Sequence, residues 1–401
     1  MDAYVADWLS LGLRWLHVIA GIAWIGTSFH FVALDNHLAP PRDPADRARG
    51  AHGEAWGVHG GGFYRTQKYL LGPRGEPLTG DLHWFKWEAY TTWLSGMGLL
   101  AIVYWWGANT YLIDRAVWGL SVPAAVGLSA ASLVLGWLVY DGLCRTVRSE
   151  GVLAVLLFAL AVAAAWGYGR VFGPRAAYIH VGALLGTIMV WNVFVHIIPG
   201  QREMVDALRV GREPDPRPGI VGKQRSVHNT YFTLPVVFLM VSLHYPMTYG
   251  HRHAGAVLAV IGAAGVLIRR FFVLRQSGRS APVLPAVAVL LLLGLTVALA
   301  PGRESSPAGA ATGETGDFVR VQAIMRQRCV ACHAERPTQP GFAQAPGGVL
   351  LDTPDRIRTA APRIHQAAVV ARTMPIANLT GITESERATL AAWVRNGARG
   401  D

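Results

Sequence analysis

Cysteine is scarce in this 401-residue chain: Cys144, Cys329 and Cys332 are all there is. A disulfide-stapled secreted scaffold is thereby excluded, because such folds need paired cysteines along their length. Charge is scarce as well. Charged residues make up 15% of the chain and hydrophobic ones 52%, a balance that points away from a single soluble domain and towards membrane spans. What charge exists is lopsided, 36 Lys and Arg against 25 Asp and Glu. It gathers between apolar runs, so it reads as an orientation signal, and nucleic acid is not an expected partner. A G-x-S-x-G nucleophile elbow is also missing, so His59-Gly60-Gly61-Gly62 is not read as the oxyanion hole of an esterase. Cys144 closes an apolar run and reads as a small buried hydrophobe.

Long apolar runs are present in number. They cover roughly 8–34, 87–107, 118–141, 152–172, 176–199, 230–249, 254–274 and 281–300, which predicts eight spanning helices. The first is too long for a signal-peptide core, and Asp2 and Asp7 stand where a basic start would be. Alternate loops are basic. The loop at 35–86 carries Arg42, Arg47, Arg49, Arg65, Arg74, Lys68 and Lys86; that at 200–229 carries Arg202, Arg209, Arg212, Arg217, Lys223 and Arg225. Arg145 and Arg148 mark a third, and Arg269, Arg270, Arg275 and Arg279 a fourth. The loops between them are short and nearly neutral. The positive-inside rule then places both termini outside, in the periplasm of a bacterial inner membrane.

Near the C-terminus stands Cys329-Val330-Ala331-Cys332-His333. C-x-x-C-H is the attachment signature of a c-type haem: two thiols for thioether bonds, and a histidine under the iron. Met374, in Arg372-Thr373-Met374-Pro375, is the candidate for the opposite ligand, with Pro375 holding the loop out of helix. Zinc would need four protein ligands, and beyond residue 317 only two Cys, His333 and His365 are on offer. The metal ligands are therefore expected to be His333 and Met374. A c-type haem is attached outside the bacterial cytoplasm, the side the loop charges give independently.

Three domains follow: a membrane domain at 1–300, a flexible Gly/Ser/Ala/Thr/Pro/Glu tether at 301–316, and a small haem domain at 317–401. In the last, Phe318, Val321 and Ile324 are helically spaced, and Thr383-Glu384-Ser385-Glu386 is a capping box. Leu390 and Trp393 supply the inner face of that final helix, and Gly397 its stop. The expected fold class is all-α: a polytopic helix bundle followed by a unit similar to a class I cytochrome c.

Ionisable groups inside spans are costly and are functional by default. His17 and His30, His180 and His196, and His228 and His244 form two layers, one near each face, which suits a b-type haem; His17 is its first candidate ligand. Each can equally be a histidine facing the interface. The first basic loop is unusual, with three glycines, aromatic residues and basic side chains that suit a flat anion.

Together, Trp56-Gly57-Val58-His59-Gly60-Gly61-Gly62-Phe63-Tyr64, His83-Trp84-Phe85-Lys86-Trp87-Glu88-Ala89-Tyr90, Asn192-Val193-Phe194-Val195-His196-Ile197-Ile198-Pro199-Gly200-Gln201-Arg202 and His228-Asn229-Thr230-Tyr231 resemble the membrane-bound urate hydroxylases, bacterial urate oxidases with a C-terminal cytochrome c. The resemblance implies oxidation of urate to 5-hydroxyisourate. Electrons would leave through haem c to a respiratory acceptor, a soluble cytochrome or a terminal oxidase, without peroxide. On chemical grounds the expected anion binders are Arg65, Lys68 and Lys86, and the acid/base groups His59, Glu88 and His228. A competing reading is a quinol-linked electron-transfer subunit with no organic substrate of its own. A third is a transporter carrying a cytochrome.

Overall fold

The computed structural model describes residues 3–75, 78, 80–300 and 314–399. The chain is mostly helical. Helix α1 (Ala3–His37) runs 35 residues without a proline, and one side of it stays open: Trp15 is 70% and Ile22 67% exposed, as suits a face turned to lipid. A short α2 (Pro44–Ala48) leads into a hairpin of β1 (Ala51–His59) and β2 (Gly62–Tyr69). This departs from the all-α expectation. Gly60 and Gly61, both at positive φ, form its two-residue turn, so the glycine run serves to reverse the chain.

Next come α3 (Trp87–Leu99), widened into a π-helix over Leu100–Trp106, α4 (Ala108–Tyr111), α5 (Val122–Thr146) and α6 (Glu150–Tyr168). Helix α7 (Pro174–Trp191) passes through a π segment (Asn192–Ile197) into α8 (Ile198–Arg209). Then follow α9 (Arg217–Val241), α10 (Pro246–Tyr249), α11 (Ala254–Gln276) and α12 (Val283–Ala298). Helices α5, α6, α7, α9 and α11 share one core that includes Leu133, Tyr140, Leu153, Leu184, Leu239 and Leu258.

Six helices among the described residues are long and apolar enough to cross a membrane, against the eight expected. Trp87–Trp106 is long enough, but its first turns carry Glu88, Thr91 and Thr92 and dilute its hydropathy. Val283–Ala298 has 16 residues, about 24 Å at ~1.5 Å per residue. The expected loop at 200–229 is largely helix as well, since α8 ends at Arg209 and α9 starts at Arg217.

Of the expected tether, 301–313 lie outside the described residues, and 314–316 already belong to α13 (Glu314–Arg328). Helices α14 (Pro354–Thr359), α15 (Ala361–Ile364) and α16 (Glu384–Arg395) complete a small unit around Phe318, Val321, Met325, Leu351, Leu390 and Trp393. The capping box forms as its spacing predicts: Thr383 Oγ1 accepts from the Glu386 N–H at 3.2 Å, and Glu386 Oε2 from the Thr383 N–H at 2.7 Å.

This unit rests on one end of the bundle. A cavity of about 240 Å³ lies between them, lined by Tyr111, Asp114, Arg175 and Tyr249 from the bundle and by Met374 and Arg387 from the unit. Tyr111 and Phe342 meet across the junction, ring centroids 6.4 Å apart. Gly250 has no room for a Cβ, which would run into the Ala371 carbonyl oxygen. Both are backbone positions and cannot yield as a side chain would. Gly250→Val is therefore expected to lift the 371–374 loop off the bundle. Limited proteolysis should show faster cleavage around that loop with both halves still folded; unchanged cleavage would show that the contact does not hold the junction.

Candidate functional site

At the far end of the bundle from that junction, α5, the π segment after α7, α6 and α9 bring polar side chains into the interior. Asp141 is 6% exposed and holds three cationic or polar partners. Its Oδ1 accepts from Arg225 Nη2 and pairs with His196 Nε2, both at 2.7 Å, and its Oδ2 accepts from Arg145 Nε at 2.6 Å. Arg225, 2% exposed, lies 5.1 Å over the Tyr140 ring. The Tyr140 hydroxyl accepts from Asn192 Nδ2 at 2.8 Å and donates to His228 Nδ1 at 2.9 Å. Asn192 Nδ2 also donates to Asn229 Oδ1 at 3.0 Å, and Asn229 Nδ2 to the Met189 carbonyl at 2.9 Å. Every amide orientation here follows from that network. With Nδ1 of His228 accepting, its neutral ring carries hydrogen on Nε2, which faces Glu150 Oε2 at 3.8 Å. Glu150, two-thirds exposed, also accepts from Gln224 Nε2 and forms the outer edge of the cluster.

Two groups in this network are incomplete. Arg225 Nε and Nη1, and Asn192 Oδ1, are buried with no hydrogen-bond partner among the described residues. The π segment that carries Asn192 and His196 is a helix widening of the kind found at functional sites.

The expected site residues are distributed differently. His228 is in the cluster. Arg65 is engaged by Glu54 Oε2 (2.5 Å) and Asp46, both buried; it holds the Glu54 carboxyl below its usual range, while Arg49 and then Arg65 hold that of Asp46 down. Lys68 pairs with Asp35 at 2.6 Å, and Lys223 of α9 meets the same carboxylate. Arg65 and Lys68 thus tie the hairpin to α2 and α1. His59 is exposed at the hairpin turn. Lys86 lies over the Trp87 ring at 5.6 Å, and Glu88 is half-buried in the first turn of α3.

Two of the four stretches behind the resemblance supply residues to this cluster, Asn192 and His196 from one and His228 and Asn229 from another, and a third packs against the first. Tyr90 and Phe194 touch, Trp84 and Tyr90 pack with Val193 and Ile198, and Asn192 bonds Asn229. The reading of sequence missed Tyr140, Asp141 and Arg225. The signal was present: Asp141 closes an apolar run, and Arg225, His228 and Asn229 fall on one helical face.

The membrane histidines have ordinary partners. His180 is fully buried, with Nδ1 donating to the Ala176 carbonyl and Nε2 accepting from Ser129 Oγ, both at 2.7 Å, which leaves no nitrogen for an iron. His17 is held on α3 by Nδ1, 2.8 Å from the Thr92 carbonyl and 3.1 Å from Ser95 Oγ; Gly96 gives it room, since a Cβ there would stand 2.9 Å from its ring.

In the C-terminal unit, the N–H groups of Cys332 and His333 both bond the Cys329 carbonyl, at 3.1 and 3.0 Å. His333 Nδ1 bonds the Val349 carbonyl at 2.9 Å, which leaves Nε2 as its free nitrogen. Burial pushes the Cys329 thiol up to about 12 and raises that of Cys332. Met374 is anchored at both backbone ends, by the Ala367 carbonyl (3.1 Å) and by Arg387 Nη1 (2.9 Å). Among the described residues no group of three or more His, Cys, Asp or Glu is arranged to hold a bare metal ion.

A bundle with six helices long and apolar enough to cross a membrane, a largely buried polar cluster at one end and a small helical unit at the other, has the build of a membrane protein. Residues 3–300 match the family model described as urate oxidase N-terminal, and the chain belongs to that family. Membership ties it to urate-related function. The chain is also similar to the apolipoprotein N-acyltransferase of Caulobacter vibrioides, 39% identical over 80 residues, 20% of this chain. It spans only 15% of that protein's length. No solved structure matches the chain.

Proposed function

We propose that the protein oxidises urate to 5-hydroxyisourate in the membrane and delivers the electrons to a haem c on its C-terminal unit, without forming peroxide. One observation carries the reading: within the family-matched region, two resembling stretches supply the residues of a buried polar network with unfilled hydrogen-bonding capacity, and a third packs against one of them. The balance is urate plus water giving 5-hydroxyisourate, two protons and two electrons. Protons leave by a defined path. The Tyr140 hydroxyl can pass one to His228 Nδ1, and Glu150 beside Nε2 stabilises the charged ring and faces solvent. Of the other expected acid/base groups and anion binders, His59, Glu88 and Lys86 have no described contact with this network. Arg65 and Lys68 are already ion-paired.

The donor set of the C-terminal unit suits a covalent haem: two neutral thiols at Cys329 and Cys332, an imidazole at His333 with Nε2 free, and a thioether on the anchored Met374 loop. When bound, that haem supplies a one-electron acceptor. Trp87–Trp106 and Val283–Ala298 complete the eight spans of the proposal. The unit docks on the end built from the nearly neutral loops, in keeping with both termini in the periplasm of a bacterial inner membrane.

From Tyr140 to the opposite end of α5 at Val122 is 18 residues, ~27 Å at ~1.5 Å per residue, so the two ends need a relay. His17 keeps Nε2 outside any described hydrogen bond, and the haem b part of the proposal rests on it.

A second reading, the quinol-linked electron-transfer subunit, is favoured by one feature: an apolar cavity of about 210 Å³ lined by Trp93, Met97, Leu133, Trp137, Thr187 and Trp191, open on one side. Anaerobic addition of urate to the oxidised, purified protein tests both. Reduction of haem c by urate is the expected result. No reduction by urate but rapid reduction by a quinol selects the second reading, and peroxide formed in proportion to urate consumed overturns the scheme.

A further inference from the structure

Buried polar atoms without partners cost about 1–3 kcal/mol each. A fold keeps several together when something absent from the protein chain completes them. Around Tyr140, the unpaired atoms are of opposite kinds. Arg225 offers two donor nitrogens on a guanidinium whose third nitrogen is fixed to Asp141. Asn192 offers an acceptor whose direction is fixed, because its Nδ2 is committed to both Tyr140 and Asn229. Asn192 Oδ1 is the one buried side-chain carbonyl among the described residues without a partner. The guanidinium is held by one carboxylate that it shares: Asp141 also pairs with Arg145 and His196.

We infer that Arg225 and Asn192 form the substrate-binding contacts of this site, and that their ligand is a planar purine anion bearing ring carbonyls and N–H groups. The inference rests on the urate reading and adds the residues and the mode. Arg225 Nη1 donates to a ring oxygen or deprotonated nitrogen, and Nε, on a different edge of the guanidinium, donates to a second acceptor atom. A ring N–H donates to Asn192 Oδ1. Discrimination follows from the second contact, since an ionised carboxylate has no hydrogen to give and leaves Asn192 Oδ1 unpaired. Asp141 is a positioning residue: it fixes the Arg225 guanidinium and, on the same oxygen, His196.

The test uses the full chain with haem c attached, reduced by dithionite so that urate binds without turnover. Equilibrium dialysis measures urate affinity. Asn192→Asp sets a carboxylate against the bound anion, and affinity is expected to fall about 100-fold, since apposed like charges cost several kcal/mol. Asn192→Leu removes the acceptor without adding charge and is expected to weaken binding about tenfold. Unchanged affinity in both, with the haem spectrum and elution volume of the wild type, overturns the inference and leaves buried water as the partner of these atoms.

A second measurement needs no variant. Cys144 Sγ lies 3.8 Å from His228 Nδ1 and is the one cysteine outside the C-x-x-C-H motif. Saturating urate is expected to slow alkylation of Cys144 severalfold; an unchanged rate counts against the site. Wild-type protein that reduces haem c with urate but shows neither effect refutes the inference alone. Wild-type protein that neither binds nor oxidises urate refutes the functional reading beneath it.

Discussion

Asp141→Asn is expected to destabilise the membrane bundle by about 3–5 kcal/mol, because it strips the counter-charge from a guanidinium with almost no access to water. Arg225 is 2% exposed, and its one ion pair among the described residues is with Asp141. The asparagine oxygen can still accept one hydrogen bond, but its amide nitrogen then faces Arg145 or His196, donor against donor. Arg145→Ala is the contrasting substitution. That side chain is 64% exposed, so its pair with Asp141 is worth at most about 1 kcal/mol. Thermal unfolding in detergent should therefore show a large fall in Tm for the first and a small one for the second. Equal shifts would mean that water reaches Arg225 and that the network is not sealed. Urate affinity should fall with Asp141→Asn as well, since the bond to Asp141 holds the Arg225 guanidinium and its unpaired N–H groups in place.

The double substitution Cys329→Ser and Cys332→Ser is expected to abolish covalent haem and, with it, urate-dependent delivery of electrons to any external acceptor. Serine cannot form the thioethers, and nothing else in the C-terminal unit replaces them. The membrane bundle should be indifferent, because its own core shares no residue with that of the unit. Three readouts separate the parts. Haem staining on a denaturing gel should vanish, urate binding to the variant should persist, and any remaining reduced-minus-oxidised spectrum reports a second haem in the membrane. Met374→Ala is the milder companion: the haem stays attached, and its ligand field changes. Persistent staining in the double variant would place the attachment elsewhere.

The C-terminal unit was legible almost residue by residue. Phe318, Val321 and Ile324 are all buried, Thr383 caps its helix, and Leu390 and Trp393 fill the core, because helical spacing and capping are local and a short sequence window contains them. The basic hairpin was misread for the opposite reason. Its glycines, aromatics and cations look like a ligand cradle, but Arg65 finds Asp46 and Glu54, and Lys68 finds Asp35, at separations no local pattern marks. Arg225 was counted among loop charges. It is in fact the buried centre of the site, since α9 starts at Arg217, well before its apolar run begins.

The sequence by itself determined that the chain carries apolar helices of membrane-crossing length, where its C-x-x-C-H motif lies, and the caps and core positions of its C-terminal unit. Apolar length, C-x-x-C-H and caps are all written within a few turns of chain. Only the tertiary structure decided which polar residues meet. Tyr140, Asp141, Asn192, Arg225 and His228 come from three helices, and their partnership depends on how those helices rotate and pack. Burial then turns an ordinary arginine into a charge that must be answered, and hydrogen-bond accounting leaves Arg225 and Asn192 Oδ1 still open.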